Sequence, residues 1–265
     1  MSRLPASDAG GIVTGARYVE QITALASDRR ARTAFRDLVL RVAAPGAALF
    51  DFGSGTGMDA RFYAECGFKV AAYDVDPHMC AFFAEHCRDL IEAGRVSLDS
   101  GDYRNFLAHG KPGGLAAVDL VTANFAPLNL IDDLHELFAK FHALSRPDGR
   151  VLASVLSPWF VGDLQYGWWW RNSLRLLRVG HFSVPGVQGP IVRRRLADFA
   201  RHSAPYFTLE RVFRGLPAPP RRDVAGVGLN GGAFGRALGL STCRFMFLLF
   251  HRRPLGGADG ERRCG

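Results

Sequence analysis

Apolar residues along most of this chain occur in short runs that alternate with longer amphipathic stretches. The short runs predict buried β-strands, and the stretches between them carry apolar residues at helical spacing. Strands that are joined by helices imply right-handed crossovers, so the alternation predicts a parallel sheet with both faces covered. The predicted strands are residues 48–52, 70–73, 96–98, 118–123, 151–156, 207–213 and 245–250.

Helical periodicity predicts two helices before the first strand, and the second of them ends where Pro45 and Gly46 break it. Residues 157–190 interrupt the alternation because they contain three consecutive tryptophans together with several glycines and prolines. We interpret them as an insert after the fifth strand that covers the substrate. The predicted helices are residues 18–25, 32–42, 58–66, 78–92, 132–144 and 192–202.

The composition is that of a globular protein, with 48% hydrophobic and 22% charged residues. We expect one domain over residues 1–265, with a loop at 217–235 and flexible segments at 1–14 and 254–265. No apolar run reaches the roughly 18 residues that cross a bilayer, and the first residues show no secretory pattern. The five cysteines are scattered without a CxxC pair, which predicts a cytoplasmic protein with reduced thiols and no metal site.

The net charge of +8 could attract nucleic acid. However, the arginines that dominate it are spread through the second half of the chain, with one cluster at Arg193-Arg194-Arg195. We interpret this cluster as a solvated helix start, with an acidic substrate or an acidic carrier protein as the alternative ligand. The charge pattern therefore disfavours a nucleic-acid partner.

A glycine-rich turn joins the first predicted strand to the helix after it. Gly53, Gly55 and Gly57 allow a sharp turn and a close approach of the backbone to a ligand. The helix that follows offers free N–H groups, which suit a nucleotide-like or carboxylate-bearing ligand. Alone, the turn is compatible with NAD, with FAD, with S-adenosylmethionine (SAM) or with a tight crossover that binds nothing.

Two acidic residues narrow these alternatives. Asp51 lies at the strand end just before the glycines, where a buried carboxylate suits a cationic amino group and would repel a pyrophosphate. Asp74 ends the second strand, where its carboxylate can accept hydrogen bonds from ribose hydroxyls. NAD enzymes share the second acid but normally lack the first. The pair therefore favours SAM, although Asp51 could instead be only a cap on the turn.

Four motifs in order resemble the class I SAM-dependent methyltransferase family: FDFGSGTG, YDVDPHM, SGDY and VDLVTANFAPLNL. A fifth segment, RPDGRVLASV, is similar to the entry into the family's fifth strand. The resemblance implies a Rossmann-like, doubly wound sheet of seven strands, mostly parallel with a reversed C-terminal strand. It also implies N-terminal helices, an insert after strand five, and SAM as cofactor without a metal ion.

The resemblance assigns roles to individual residues. Met79 would pack on the adenine and Asp102 would face its amino group, while Asn124 and Phe125 would lie beside the methionine half of SAM. The implied cofactor-binding residues are Asp51, Gly53, Ser54, Gly55, Gly57, Asp74, Val75, Met79, Gly101, Asp102, Tyr103, Asn124 and Phe125.

In members of this family, the insert and the N-terminal helices recognise the substrate, which suggests Tyr18, Trp168 and Trp169 as substrate-binding residues. Asn129, in the motif after the fourth strand, is a fourth candidate. His181 in the insert is the candidate catalytic base, although a lone histidine is more often only hydrogen-bonded. The tryptophans could equally anchor the insert to the sheet.

The expected activity is methyl transfer to an oxygen, nitrogen or carbon nucleophile of a small, aromatic or apolar metabolite, such as one of secondary metabolism. The alternatives are a methyltransferase of RNA or protein, and a non-catalytic protein that keeps the SAM fold. The chain lacks the Pro-Pro-aromatic motif of nucleobase amino methylases, since Asn124-Phe125-Ala126-Pro127 follows the fourth strand instead. The substrate, the methylated atom and the oligomeric state stay open.

Overall fold

The computed structural model describes residues 26–111, 113–186, 189–214 and 241–254. The predicted helix 18–25 with Tyr18, the predicted loop 217–235 and almost all of the two segments expected to be flexible lie outside these ranges. Within them, no helix is both long and apolar enough to cross a membrane.

Seven strands form one sheet in the order β3-β2-β1-β4-β5-β9-β8, which confirms the predicted fold class. Strands β1 to β5 pair in parallel, and β9 runs antiparallel to both of its neighbours. The strands are β1 Ala48–Phe52, β2 Lys69–Asp74, β3 Val96–Ser100, β4 Val118–Ala123, β5 Ser145–Leu156, β8 Phe207–Phe213 and β9 Phe245–Arg252; a separate two-stranded ribbon consists of β6 His181–Val184 and β7 Ile191–Arg194.

The sheet changes its winding direction between β1 and β4. These strands are neighbours in space, but the chain leaves β1 toward β2 on one side and leaves β4 toward β5 on the other. The connections after them therefore diverge and leave a crevice at the carboxyl edge of the sheet, where open α/β folds bind their ligands.

The helices cover both faces of the sheet. The predicted helix 78–92 is in fact two helices that meet at Cys87. Asp133 caps the helix before β5 by accepting from the N–H groups of His135 and Glu136. The helices are α1 Ala26–Val42, α2 Met58–Glu65, α3 Pro77–His86, α4 Arg88–Glu92, α5 Tyr103–His109, α6 Leu134–Leu144, α7 Gly167–Val179 and α8 Leu196–Ser203; short 3-10 turns span Pro127–Leu130 and Val161–Gln165.

Two apolar layers hold the helices to the sheet. Leu49 and Phe50 are neighbours in β1 and are fully buried on opposite faces, because successive side chains of a strand alternate. Helices α1 to α4 pack on the Leu49 face, where Phe35 meets Phe247 edge to face at 5.6 Å. Helices α5, α6 and α8 pack on the Phe50 face. Burial of this apolar area, at about 25 cal/mol per Å², is the main force that holds the layers together.

The predicted helix 192–202 is wrong in its first turn. Ile191–Arg194 is the strand β7, and the helix begins only at Leu196. The interpretation of Arg193-Arg194-Arg195 as a solvated helix start is also wrong, since Arg193 and Arg194 are buried. Arg193 pairs with the Asp163 carboxylate at 3.2 Å and donates to the carbonyl of Ser157. Arg194 donates to the carbonyls of Leu128, Ile131 and Asp132.

The insert is more regular than its sequence suggested. It contains the 13-residue helix α7, which ends at Gly180 with a φ of 97°. Only Trp169 and Leu176 of this helix are buried. Two buried residues are too few to give the helix a recognisable apolar periodicity. The glycines and prolines around it made the segment look irregular.

Candidate active site

A cleft opens at the carboxyl edge of the sheet, between the turn after β1 and the turn after β4. Helix α1 closes one side of it. The residues that line the cleft are Arg32, Asp51, Gly53, Ser54, Gly55, Thr56, Asp59, Asn124 and Phe125. The sequence had already predicted six of these as cofactor-binding residues: Asp51, Gly53, Ser54, Gly55, Asn124 and Phe125.

The glycine turn after β1 has no room for side chains. Gly53 has a φ of 70°, and a Cβ there would lie 2.7 Å from Cβ of Pro127. Gly57 has a φ of 78°, and its Cβ would lie 2.7 Å from Cδ2 of Phe83. Two positive φ angles and two contacts below van der Waals distance explain why glycine occupies both positions. The turn thus presents bare backbone to the cleft.

Asp51 carries an oxygen without a partner. Its side chain is only 2% exposed, and its Oδ1 accepts a hydrogen bond of 2.8 Å from Oγ1 of Thr122. Its Oδ2 is buried and has no hydrogen-bond partner among the described residues. Burial raises the pKa of Asp51 to about 7, and the Asp59 carboxylate adds to the shift. A cationic group in the cleft would satisfy this oxygen and favour the ionised carboxylate.

Asp74 fixes the glycine turn to the end of β2. Its Oδ2 accepts from the N–H of Gly55 at 2.7 Å, and its Oδ1 accepts from the N–H of Asp76 at 2.9 Å. Burial raises the pKa of the Asp74 carboxyl, and these N–H groups act in the opposite direction. Each carboxylate oxygen has a second acceptor site, so Asp74 can accept further hydrogen bonds from a ligand.

A buried ion cluster, which the sequence analysis did not find, forms the wall opposite Asp51. Asp59 in the first turn of α2 accepts from Arg32 at 2.6 Å, from Arg36 at 2.7 Å and from Nδ2 of Asn124 at 3.0 Å. Burial opposes the charge of Asp59, but the two guanidinium groups hold the pKa of its carboxyl below its usual value. The guanidinium of Arg32 also lies 4.5 Å from the ring centre of Phe125. The sequence contained one indication of this cluster: Arg32 and Arg36 are four residues apart and therefore share a helix face.

The backbone after β4 is strained where it borders the cleft. Phe125 and Ala126 have φ angles of 60° and 66°, although neither is glycine. The N–H of Phe125 donates to Oδ1 of Asn124 at 2.9 Å, and the N–H of Ala126 donates to Oγ of Ser154 at 3.3 Å. Such backbone costs on the order of 1–3 kcal/mol per residue and is typical of ligand-binding turns.

The remaining predicted cofactor residues follow β2 and β3 at the same edge of the sheet. Val75 is exposed, whereas Met79 is buried in α3. Gly101 accepts a hydrogen bond of 2.9 Å from the Tyr73 hydroxyl, and Asp102 caps α5. Tyr103, the first residue of α5, is partly buried. None of the five lines the cleft, so their contacts with an adenine stay predictions.

Two predicted substrate residues hold the insert in place. Asn129 is fully buried; its Nδ2 donates to the carbonyl of Val192 at 2.6 Å, and its Oδ1 accepts from the N–H of Leu156 at 3.0 Å. Trp169 is also buried, and its Nε1 donates to the carbonyl of Pro158. Neither side chain lines the cleft, so their contacts with a substrate stay predictions.

The other two substrate-site candidates are accessible but do not line the cleft. Trp168 is partly buried and stacks on Tyr166 with ring centres 6.1 Å apart. His181 is 40% exposed, and its Nδ1 lies 3.5 Å from Oδ2 of the buried Asp198. The structure thus pairs His181 with a carboxylate of α8 and does not bring it into the cleft. Its role as a base stays a prediction.

The glycine turn and its acids fall within a known sequence family. The model of a family described as a methyltransferase domain matches residues 26–188, which is more than half of the chain. The chain belongs to this methyltransferase family. The resemblance to class I SAM-dependent methyltransferases is thereby confirmed, and SAM is the cofactor of that family.

A curated relative covers only part of the chain. It is the malonyl-[acyl-carrier protein] O-methyltransferase of Pectobacterium atrosepticum, which is 27% identical over 133 residues. That match covers 50% of this chain and 48% of the relative, so it spans about half of either protein.

Solved structures share the fold of this methyltransferase at low sequence identity. A TehB-like SAM-dependent methyltransferase from Corynebacterium glutamicum has a TM-score of 0.57 at 15% identity, over 90% of this chain and 98% of that one. The 1,6-didemethyltoxoflavin-N1-methyltransferase of Burkholderia thailandensis, solved with S-adenosylhomocysteine, has a TM-score of 0.55 at 19% identity. That likeness covers 96% of this chain and 93% of the Burkholderia chain.

Proposed function

We propose that this protein transfers a methyl group from SAM to an oxygen, nitrogen or carbon nucleophile of a small, largely apolar or aromatic metabolite. The observation that carries the proposal is the buried, unpartnered Oδ2 of Asp51 beside a bare glycine turn. A buried carboxylate oxygen that faces a cleft needs a cationic donor, and the α-amino group of SAM is one.

Arg32 on the cleft wall and Asp74 behind the glycine turn fit the remaining groups of SAM. Arg32 has five N–H donors, of which Asp59 uses only part, so it can also bind the methionine carboxylate. Asp74 can accept from ribose hydroxyls while it keeps its bonds to Gly55 and Asp76. In this proposal, the Asp51 carboxylate pairs with the ammonium group and the Arg32 guanidinium pairs with the carboxylate of the same amino-acid group.

Methyl transfer requires the protein mainly to position the reacting groups. SAM, when bound, would supply a methyl carbon on a positively charged sulfur for in-line displacement, with S-adenosylhomocysteine as the leaving group. The chain must align the nucleophile and keep water out of the cleft, and it needs no covalent nucleophile of its own. Phe125 on the cleft wall and the aromatic residues Tyr166 and Trp168 of the insert offer apolar surface for the acceptor.

The cofactor is tested by calorimetry with SAM, S-adenosylhomocysteine and NAD at moderate salt. We expect both adenosyl ligands to bind with micromolar affinity and NAD to give no heat. If neither adenosyl ligand binds, the glycine turn is only a crossover and the proposal fails. Binding without methyl uptake by phenols, amines, carboxylates or acyl thioesters would favour a non-catalytic SAM-binding protein instead.

Replacing Asp74 should weaken SAM binding. In Asp74→Ala, the ribose loses a charged acceptor and the Gly55 N–H loses the bond that fixes the turn. Hydrogen bonds to a charged group contribute about 1.5–3 kcal/mol, so the dissociation constant should rise about tenfold to a hundredfold. Calorimetry measures the change, with circular dichroism as the control for folding. Unchanged affinity in a folded variant would show that the ribose binds elsewhere.

A further inference from the structure

Helix α7 of the insert exposes two parallel rows of side chains. Trp170, Leu174 and Leu177 form an apolar row and are 61%, 62% and 56% exposed. Arg171, Arg175 and Arg178 form a second exposed row, displaced from the first by one residue. Both rows repeat at i, i+4 and i+7, so each follows one side of the helix over a length of about 10 Å.

The rows belong to a helix that is anchored to the rest of the protein. Trp169 and Leu176 are buried on the inner side of α7, and the Nε1 of Trp170 donates to the carbonyl of Leu164 at 2.9 Å. The exposed apolar row is therefore displayed on a fixed support. Within the described ranges, no carboxylate lies within salt-bridge distance of the three arginines of the second row.

The arrangement has the chemistry of a protein-docking surface. The apolar row lies between the body of the protein and the arginine row, which gives an apolar centre with a charged rim on one side. Tryptophan and arginine are also the residues that contribute most to binding at such interfaces. A complementary partner must present an apolar row beside a row of carboxylates. An anionic lipid surface also binds helices that have an apolar and a cationic face, so lipid vesicles form one arm of the test.

We propose that α7 is the docking surface for a small acidic carrier protein that delivers the acceptor as a tethered acyl group. This rests on the proposed methyl transfer and specifies how its substrate arrives. The insert leaves β5 at Leu156, on the same edge of the sheet as the cleft, so a carrier on α7 is held on the cofactor side of the molecule. The Pectobacterium relative acts on a carrier-bound malonyl group, which is consistent with this partner.

Charge reversal tests the proposal directly. We would compare the wild type with the triple variant Arg171→Glu, Arg175→Glu, Arg178→Glu, using a malonyl-loaded acyl carrier protein as the probe. We expect the variant to bind the carrier about tenfold more weakly or worse, since like charges would then face each other. The matched control is the triple variant Arg41→Glu, Lys111→Glu, Arg211→Glu, which reverses three exposed cations away from α7. It changes the net charge by the same amount and should bind the carrier as tightly as the wild type does.

Further measurements separate the possible outcomes. Leu174→Ser with Leu177→Ser should also weaken carrier binding, because it removes the apolar row without changing the charge. The affinity for S-adenosylhomocysteine should stay unchanged in all variants. Equal loss of carrier binding in the charge-matched control would mean nonspecific attraction and would overturn the proposal.

Absence of carrier binding by the wild type would also overturn it. Binding to vesicles that contain phosphatidylglycerol, in place of the carrier, would then assign α7 to a lipid surface. Failure of the wild type to bind S-adenosylhomocysteine would instead refute the proposed function, whether or not the carrier binds. The two proposals can therefore fail separately.

Discussion

An Asp51→Asn variant is expected to be more stable than the wild type at neutral pH and to lose most of its affinity for SAM. The wild-type carboxylate is buried with one oxygen unpartnered, so its ionised form is disfavoured in the folded protein. An asparagine keeps the size of the side chain and can still accept from Thr122 through its carbonyl oxygen. It removes the charge that burial disfavours.

The pH dependence of the stability follows from the direction in which burial shifts the pKa of Asp51. The pKa of Asp51 is raised from 3.8 to about 7 in the folded protein, so the folded state binds more protons than the unfolded state between these values. The carboxyl therefore destabilises the fold increasingly as the pH rises from about 4 to 7, and by a constant amount above that. At pH 8 the variant should gain on the order of 4 kcal/mol in the free energy of unfolding, and at pH 4 it should gain little.

Ligand binding should change in the opposite direction. Removing the charged partner of a buried cation costs on the order of 2–5 kcal/mol, so the SAM dissociation constant should rise at least thirtyfold. Urea unfolding from pH 4 to 8 and calorimetry with SAM give the two readouts, and wild-type affinity should itself fall below pH 7 as Asp51 binds a proton. A variant that binds SAM as tightly as the wild type would disprove the assignment of the amino group to Asp51.

The fold was predictable because strands and crossover helices leave strong local patterns. The run ALFDF and the glycines behind it fix β1 and its turn, and buried strands between helices leave few topologies other than a parallel sheet. The errors occur where tertiary contacts override local pattern. Arg193 and Arg194 can lie in a buried strand because backbone carbonyls that are distant in sequence accept their hydrogen bonds. Nothing in the local sequence indicates these carbonyls.

The candidate site was only half predictable for a similar reason. Asp51, Asp74 and the glycines are close together in sequence and belong to recurrent motifs. The opposite wall depends on contacts over long separations: Arg32 and Asp59 are 27 residues apart, and Asn124 and Asp59 are 65 apart. These contacts can be recognised only from the structure, in which α1 lies beside the cleft. The burial of Asn129 depends in the same way on a distant contact, since its Nδ2 donates to the carbonyl of Val192, 63 residues further along the chain.

The ion cluster around Asp59 should contribute more to stability than any surface ion pair of this protein. An Asp59→Asn variant leaves the guanidinium groups of Arg32 and Arg36 without their carboxylate, although their side chains are only 13% and 20% exposed. Breaking a buried pair on one side costs about 3–5 kcal/mol because it leaves uncompensated charge. We expect a loss toward the lower end, since both arginines keep some contact with water.

The pH profile distinguishes this charge effect from a loss of packing. The arginines hold the pKa of Asp59 below its usual value, so its stabilisation is fully present above about pH 4 and disappears as the carboxyl binds a proton at lower pH. The difference between wild type and variant in urea unfolding should therefore be constant from pH 6 to 8 and shrink below pH 4. Asp89→Asn, which breaks an exposed pair with Arg61, is the control and should change the unfolding free energy little. If Asp59→Asn were as stable as the wild type at pH 7, or if its deficit persisted at low pH, the cluster would not hold α1 over the cleft by its charge.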